Sequence, residues 1–512
     1  MKLRLTAIVL AAVMSLSLFV GCNDNDDTSA TTTTEATTTT TGEEETTTSA
    51  EEETTAATED ATTAATKKST TKKVTSTTKE KVTYKTLSKT TTAVTTAPTN
   101  NSVAGVTDPT TTVSTSSTRA TVPPRVTTTK KDWSHIFPVK VTGTIEERAA
   151  AVNNNLNGKQ PVKLPSDRAL VTEYNKEWQF THHPGLTYFK GKWYASFTQG
   201  YKDEDAPGQR CVVSSSEDFI HWSEPVVVGP CIENSMVAGQ LTANLCSPIY
   251  TCGDKMFLTY SATSYPPSKF LNGKFQANAD LSNTTDKAFV TFTEDGVNWS
   301  EPSQYTGGGG MDTLRQTITG RWFAAHGTRG KFSDKANPDG LSWEMKGLSA
   351  AQGADATKRN NGAKHTESSW FQTKDNVLHI MVRSDTGFLW MMESYDNGET
   401  WSDLYPTNFG SASTMWKFGE LPDGRIYGVG TSGDQNTSRN KLELWVSEDG
   451  INFDTCYIIR DEDDTKQQGY GWAKGGRYGY PSVVIRDGYL HVLYSRHKEY
   501  MEVSRVKLSD IK

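Results

Sequence analysis

Thr293-Glu294-Asp295-Gly296-Val297-Asn298-Trp299 decides how the larger part of this chain folds. A hydroxyl and a carboxylate two residues apart can both bond nearby backbone amides. The glycine admits a positive φ, and the tryptophan ends the turn with a ring to bury. One such stretch closes a hairpin and says little more. Here it recurs as Ser216-Glu217-Asp218-Phe219-Ile220-His221-Trp222, Ser394-Tyr395-Asp396-Asn397-Gly398-Glu399-Thr400-Trp401 and Ser447-Glu448-Asp449-Gly450-Ile451-Asn452-Phe453, with a looser copy at Asn337-Pro338-Asp339-Gly340-Leu341-Ser342-Trp343. The copies stand about 45 to 75 residues apart, the range of one propeller blade.

Hairpins with small polar or glycine residues at their tips accompany these turns. They cover Tyr188 to Tyr194, Tyr250 to Tyr260, Thr317 to Ala325, Phe371 to Val382, Glu420 to Val429 and Val483 to Tyr494. Six such units predict an all-β, six-bladed β-propeller. Residues 131–178 supply either a seventh blade or only a closing strand, so seven blades is the alternative.

Upstream the chain changes character. Lys2 and Arg4 precede an apolar run from Leu5 to Val20, too short and weakly flanked for a spanning helix, and residues 1–21 read as an export signal. The run ends in Leu18-Phe19-Val20-Gly21-Cys22, which resembles the bacterial lipoprotein box, with Phe19 where that pattern prefers leucine. The resemblance implies cleavage before Cys22, lipidation of its thiol and display at the cell surface; plain secretion is the alternative. Residues 22–130 are dominated by threonine and cannot bury enough apolar surface to offset their ordering entropy. They are expected to form a disordered tether, with the propeller over 131–512. Apolar residues are only 35% of the chain, a deficit that lies in this first quarter, and the net charge of -7 argues against a nucleic-acid partner. Of six cysteines, Cys22 is assigned to the anchor and five remain. Export permits disulfides, and Cys246 with Cys252 could bridge a short hairpin, but no cysteine–histidine spacing points to zinc. No cofactor and no metal are expected.

The repeated turn is similar to the Asp-box, and residues from about 170 to 512 resemble the sialidase superfamily of β-propellers. With strands A to D of a blade counted outward from the axis, the repeated turns join C to D on one rim. Starts of A strands and B–C loops share the other rim, so the turns are structural and the second rim is the functional one. That rim holds His182-His183-Pro184, Arg315, His365 with Glu367, and Tyr480 at strand starts. Its B–C loops hold Asp203-Glu204-Asp205 with Arg210, His326 with Arg329, Arg383, Arg439 and Arg496-His497-Lys498. Guanidinium groups gathered on one rim suit a carboxylate ligand, whose two oxygens their fork can hold.

The resemblance implies roles for particular positions. Glu367 and Tyr480 match the sialidase base and tyrosine nucleophile, Arg383 and Arg439 match two of three carboxylate-binding arginines, and Asp205 with Asp203 lies where the acid/base aspartate stands. The third arginine is absent from its place, where Phe180-Thr181-His182-His183-Pro184-Gly185 stands instead. That element, followed by Asp203 to Arg210, looks like a propeller group that cleaves rhamnose linked to glucuronate, in which a histidine transfers the proton.

Three readings follow. The leading one is an enzyme removing a terminal sugar from an acidic, uronate-type oligosaccharide or polysaccharide, by hydrolysis or elimination. His182 or His183 would act as acid/base and Arg210, Arg329, Arg383, Arg439 and His365 would bind substrate. The alternative is an exo-sialidase using Tyr480 and Glu367. The last is a non-catalytic glycan-binding propeller. In each case the protein is expected to be a monomer that meets the membrane only through its lipid. The anchor is directly testable: Cys22→Ser is expected to shift the mature protein from the membrane pellet to the soluble fraction, or to leave it unprocessed. Unchanged membrane partition would refute lipidation.

Overall fold

The computed structural model describes residues 144–512, apart from 230–240, 267–269, 272–273, 276–284, 306–309, 336–337, 360–363, 434–438, 470 and 472. The export signal, Cys22, the Thr-rich stretch and Cys231 lie outside the described residues. Among those described, six antiparallel sheets form six blades. Strands A to D of blade 1 are Phe180–Phe189, Lys192–Gly200, Arg210–Ser216 and Val226–Val227. Blade 2 uses Leu241–Cys252, Lys255–Tyr265, Thr285–Thr293 and Ser303–Tyr305, and blade 3 uses Arg315–Gln316, Trp322–His326, Arg329–Ser333 and Glu344–Gly347. Blade 4 uses His365–Gln372, Leu378–Ser384, Phe388–Ser394 and Tyr405–Gly410, and blade 5 uses Lys417–Glu420, Ile426–Gly430, Leu442–Ser447 and Phe453–Arg460.

Blade 6 is assembled from both ends of the described chain. Tyr478–Arg486, Tyr489–Arg496 and Tyr500–Lys507 supply strands A to C, and Asp167–Thr172 returns as strand D. The segment before blade 1 therefore closes the ring and makes no seventh blade. Just ahead of it, Val162–Lys163 adds a short parallel strand to the outside of blade 5. Thr144 and Glu147 exchange hydrogen bonds at the start of helix Ile145–Ala151, a capping box that satisfies two amides otherwise unpaired there.

Each sheet is apolar on both faces, because each is covered by its two neighbours. The core accordingly divides into six clusters, one per seam. Val212, Phe197 and Phe219 meet Leu493 and Val503 between blades 1 and 6, for example, and Phe323 and Phe332 meet Trp370 and Ile380 between blades 3 and 4. The repeated turns supply a wedge to five of these seams. Trp222, Trp299, Trp343, Trp401 and Phe453 each enter the seam on the near side of their own blade. Blade 6 has no such turn, and Leu508 and Ile511 at the chain end pack into its seam with blade 5 instead.

The turns themselves are built as the sequence predicts, all at C–D connections. Thr293 Oγ1 accepts the amide of Gly296 at 2.9 Å, while Asp295 Oδ1 accepts those of Val297 and Asn298 at 2.8 and 2.7 Å. Ser447 and Asp449 repeat this with Gly450, Ile451 and Asn452. In blade 1 the glycine position is taken by Phe219 at φ 70°, a left-handed conformation tolerated because its ring packs against Trp193 and His491. The cysteines depart from expectation. Cys211, Cys246, Cys252 and Cys456 are buried free thiols, and Cys246 lies several pairs along its hairpin from Cys252, with Tyr260 rather than Cys252 opposite it.

Removing one turn hydroxyl tests the cost of this arrangement. Ser394 Oγ is buried and accepts the Gly398 amide at 2.7 Å. Ser394→Ala leaves that buried donor unmatched and is expected to lower unfolding free energy by about 1–3 kcal/mol in urea titrations.

Candidate active site

Four of the innermost strands enter the ring through a bulge. In blade 1 the pairing jumps from His182↔Thr198 to Gly185↔Ser196, which leaves one extra residue on strand A. Blades 2, 4 and 6 jump likewise, between Cys246 and Ile249, His365 and Ser368, and Gly479 and Ser482. Three of these bulges contain His183-Pro184, Ser247-Pro248 and Tyr480-Pro481. Proline has no amide hydrogen for the ladder and so suits a place where pairing lapses. His183 at φ 58° and Tyr480 at φ 50° are held in the left-handed region, an uncommon state for ring-bearing residues that clusters at functional sites. The bulge also changes direction. Neighbours in a regular strand face opposite sides, but His182 and His183 stand together, with ring centroids 4.7 Å apart.

Blades 4, 5 and 6 bring Glu367, Arg383, Ser413, Arg439 and Tyr480 into one network. The Tyr480 hydroxyl donates to Glu367 Oε1. Arg383 Nη1 donates to the same hydroxyl at 2.7 Å and to Glu367 Oε1 and Oε2 at 3.2 and 3.0 Å. Its Nη2 reaches Ser413 Oγ at 3.5 Å, and Arg439 Nη2 donates to the Ser413 carbonyl at 2.7 Å. Burial works against ionising Glu367, but the Arg383 charge and the hydrogen bonds from Thr366 and Tyr480 prevail and hold its carboxyl down at about 2. It is therefore an anion throughout the neutral range, and it is the most open of the ion pair, with 18% of its side chain exposed against 7% for Arg383.

The two histidines lie beside this network. His182 packs against Tyr480 with centroids 4.2 Å apart and ring planes inclined by 51°. His182 Nδ1 is 2.7 Å from Ser495 Oγ, whose own hydrogen goes to the Gly479 carbonyl, so His182 carries its proton on Nδ1 and its Nε2 is an open lone pair. Burial, and then the neighbouring His183, Lys498 and Arg439, push His182 well below the ordinary histidine range, with Glu204 offsetting part of this. His183 Nδ1 meets Thr198 Oγ1 at 3.2 Å and its Nε2 is 3.2 Å from Glu204 Oε1. Lys498 Nζ holds the other oxygen of Glu204 at 2.7 Å. Both imidazoles are buried, His182 completely, and Tyr480 at 2% exposure is no more open, so burial does not separate them as groups that must reach a substrate.

The structure thus gathers His182, His183, Glu367, Arg383, Arg439 and Tyr480, as the sequence predicts. It gives other candidates separate partners. Arg210 is bonded to Gln199 and stacked 3.4 Å over Trp178. Arg329 is exposed at the edge of blade 3. His365 packs edge-on against Trp390, and the backbone carbonyl of Asp205 accepts a bond from Tyr265. Two arginines of the expected rim are structural: Arg315 is held by Glu420 and the Phe418 carbonyl, and Arg496 is buried against Glu502 and Asp464. Glu204 and Lys498, to which the sequence assigns no role, pair with each other at the histidines. Ser413, Ser495 and Thr198 have no sequence signal, since each acts only through a partner from another strand or blade.

Six blades, turns that wedge the seams and an ionic cluster on one rim define a six-bladed β-propeller. Residues 193–492 match the model of the BNR repeat-like domain, and the chain belongs to that family. No curated protein matches it in sequence. Solved structures similar to it include a protein of unknown function from Dyadobacter fermentans, at 14% identity over 67% of this chain and 98% of that one, with a TM-score of 0.48. A NanB sialidase from Streptococcus pneumoniae is similar at 14% identity over 67% of this chain and 71% of that one, with a TM-score of 0.47. An intramolecular trans-sialidase from Ruminococcus gnavus is similar at 13% identity over 67% and 98%, with a TM-score of 0.46.

The buried imidazoles make stability depend on pH. Burial lowers His182 and brings His326, His365 and His491 to about 4 each. In the unfolded chain these rings take a proton at about 6.5, so acidification favours unfolding. Their contribution is full above about 6.5 and is lost as pH falls toward 4. Urea titrations should show lower unfolding free energy at pH 5 than at pH 7, by up to about 1.4 kcal/mol per pH unit for each ring. A flat profile over that window would mean the rings are not buried neutral.

Proposed function

We propose that this protein is a glycosidase of acidic glycans in which Tyr480 is the nucleophile and Glu367 its base. One observation supports this most directly: the Tyr480 hydroxyl donates to Glu367 while accepting from Arg383. The phenol's proton moves to Glu367 as its oxygen attacks the anomeric carbon and the bond from that carbon to the departing sugar's oxygen breaks. Water protonates the departing oxygen, its hydroxyl then releases the sugar from Tyr480, and Glu367 returns the proton to the phenol, the Arg383 charge favouring the phenolate in both steps. A neutral nucleophile suits an anionic sugar, because a carboxylate would repel it. Arg439, with Arg383, offers cationic character for the substrate's carboxylate. His182 then acts as a positioning residue that holds the Tyr480 ring from beneath. In this reading the enzyme works outside the cell, held there through Cys22.

A second reading keeps His182 as the proton-transfer group of a uronate-cleaving enzyme. It is favoured by the open lone pair of Nε2 beside Tyr480. The two readings separate cleanly in turnover on aryl sialosides and rhamnosyl-glucuronate oligosaccharides, followed by released sugar and by the absorbance of unsaturated products. Tyr480→Phe is expected to reduce kcat by roughly a thousandfold or more, and Glu367→Gln by about a hundredfold or more. Arg439→Ala should act mainly on KM. If Tyr480→Phe turns over near the wild-type rate while His182→Ala does not, the tyrosine assignment is wrong.

A further inference from the structure

His182, His183 and Glu204 form a three-ligand set of which the proposed tyrosine chemistry uses only the His182 ring, as packing against Tyr480. One ligand atom from each of the three lies within 4.8 Å of the other two. The carboxylate oxygen is 3.2 Å from His183 Nε2 and 4.0 Å from His182 Nε2. A tetrahedral zinc ion with bonds of about 2.0–2.1 Å separates its ligand atoms by about 3.3 Å. One of these edges already has that length, a second needs a shift of under about 1 Å, and the third, between the two imidazoles, lies within 4.8 Å.

Three features beyond proximity point to an ion. The bulge at His183-Pro184 turns two consecutive side chains to one side, which a regular strand forbids. Each imidazole has its Nδ1 on a hydroxyl, Ser495 for His182 and Thr198 for His183. This is how metal-bound histidines are oriented, with the far nitrogen fixed and Nε2 presented. Finally, His182 Nε2 is fully buried and has no hydrogen-bond partner, a costly state for a polar atom. The neutral state of His182 is the ligating one.

We propose that His182, His183 and Glu204 bind a transition-metal dication of the zinc class, which joins strand A of blade 1 to its B–C loop beside Tyr480. His182 is already in the ligating tautomer. His183 moves its proton to Nδ1 and donates it to Thr198 Oγ1, which also accepts the Cys246 amide at 2.8 Å and has two lone pairs for the two donors. No net proton is released. Glu204 binds through Oε1, while Lys498 stays on Oε2 and weakens the site by its charge. Three protein ligands leave the fourth tetrahedral position to a water, the arrangement of an open rather than a closed zinc site.

The site is independent of the tyrosine mechanism, so the test reads metal and not turnover. Chelator-treated full-length protein is titrated with Zn²⁺ by calorimetry and with Co²⁺ by visible absorption, and its melting temperature is followed. The expected result is one equivalent bound, the intense visible bands of tetrahedral Co²⁺, and a rise in melting temperature. His183→Ala and His182→Ala should each abolish the equivalent, with melts in metal-free buffer confirming that they fold. If His182→Ala does not fold, His183→Ala alone decides. Lys498→Met should tighten binding several-fold by removing the nearby cation. No binding to the wild type, binding that survives in a folded histidine variant, or unchanged affinity in Lys498→Met overturns the proposal.

Discussion

A propeller blade has no layer of its own to bury it; each sheet is covered only by the sheets on either side. The structure therefore depends on the ring being closed, and a single strand closes it. Asp167–Thr172 pairs with Tyr500–Lys507 across most of the folded chain. Ion pairs reinforce this junction: Arg505 reaches Asp167 at 2.7 Å and Arg168 bonds Glu502. Such a contact is non-local and entropically expensive to form, so it gains its stability from the apolar seam with blade 1, into which Ala169 and Val171 pack. Without it the seam of blade 6 with blade 1 loses one of its walls.

That seam also holds the histidine half of the candidate site, the ionic half reaching it from blades 4 and 5. His182 and His183 come from blade 1, while Tyr480, Ser495 and Lys498 come from blade 6. The Thr181 amide donates to the Lys498 carbonyl at 2.8 Å, which stitches the two blades directly at the site. Lys498 and His497 themselves have positive φ. Strained backbone here is held by buried ion pairs on both sides, Lys498 with Glu204 and Lys474 with Glu499. Removing one partner of such a pair leaves an uncompensated buried charge, so these pairs fix the geometry more than they add to stability. Closure, strain and site geometry are thus one problem, settled at one seam.

The division of labour between the rims follows from the same architecture. On one rim, hydroxyl and carboxylate side chains are consumed by backbone amides a few residues away. Their chemistry is local and repeats with each blade. On the other rim, strand starts and B–C loops lean toward the axis, and side chains from different blades meet. Arg383 touches Tyr480 from 97 positions away, and Lys498 touches Glu204 from 294 away.

Fold class, blade number and the location of the turns were legible in the sequence, because each rests on contacts within a dozen residues: Thr293 with Gly296, Asp295 with Asn298, hairpin strands with their partners. Spacing then converts a local signal into a count. The candidate site was legible only in part. His182, Glu367, Arg383, Arg439 and Tyr480 stand at strand ends that a blade count assigns to one rim. Which of the rim residues actually meet was not legible. Arg315, Arg210 and Arg496 have the same residue type and similar blade positions, yet local carboxylates, carbonyls and rings claim them. Ser413 belongs to the site although nothing near it in sequence marks it, and at Asp203-Glu204-Asp205 it is Glu204, not the flanking aspartates to which the resemblance points, that meets the histidines. The burial of both histidines also came only from the closed ring, since the bulge that places them side by side and the blade 6 loop that covers them are far apart in the chain. Local hydrogen bonding writes itself into sequence as a motif; the packing of one blade against another does not, because it depends on residues whose separation the sequence leaves free.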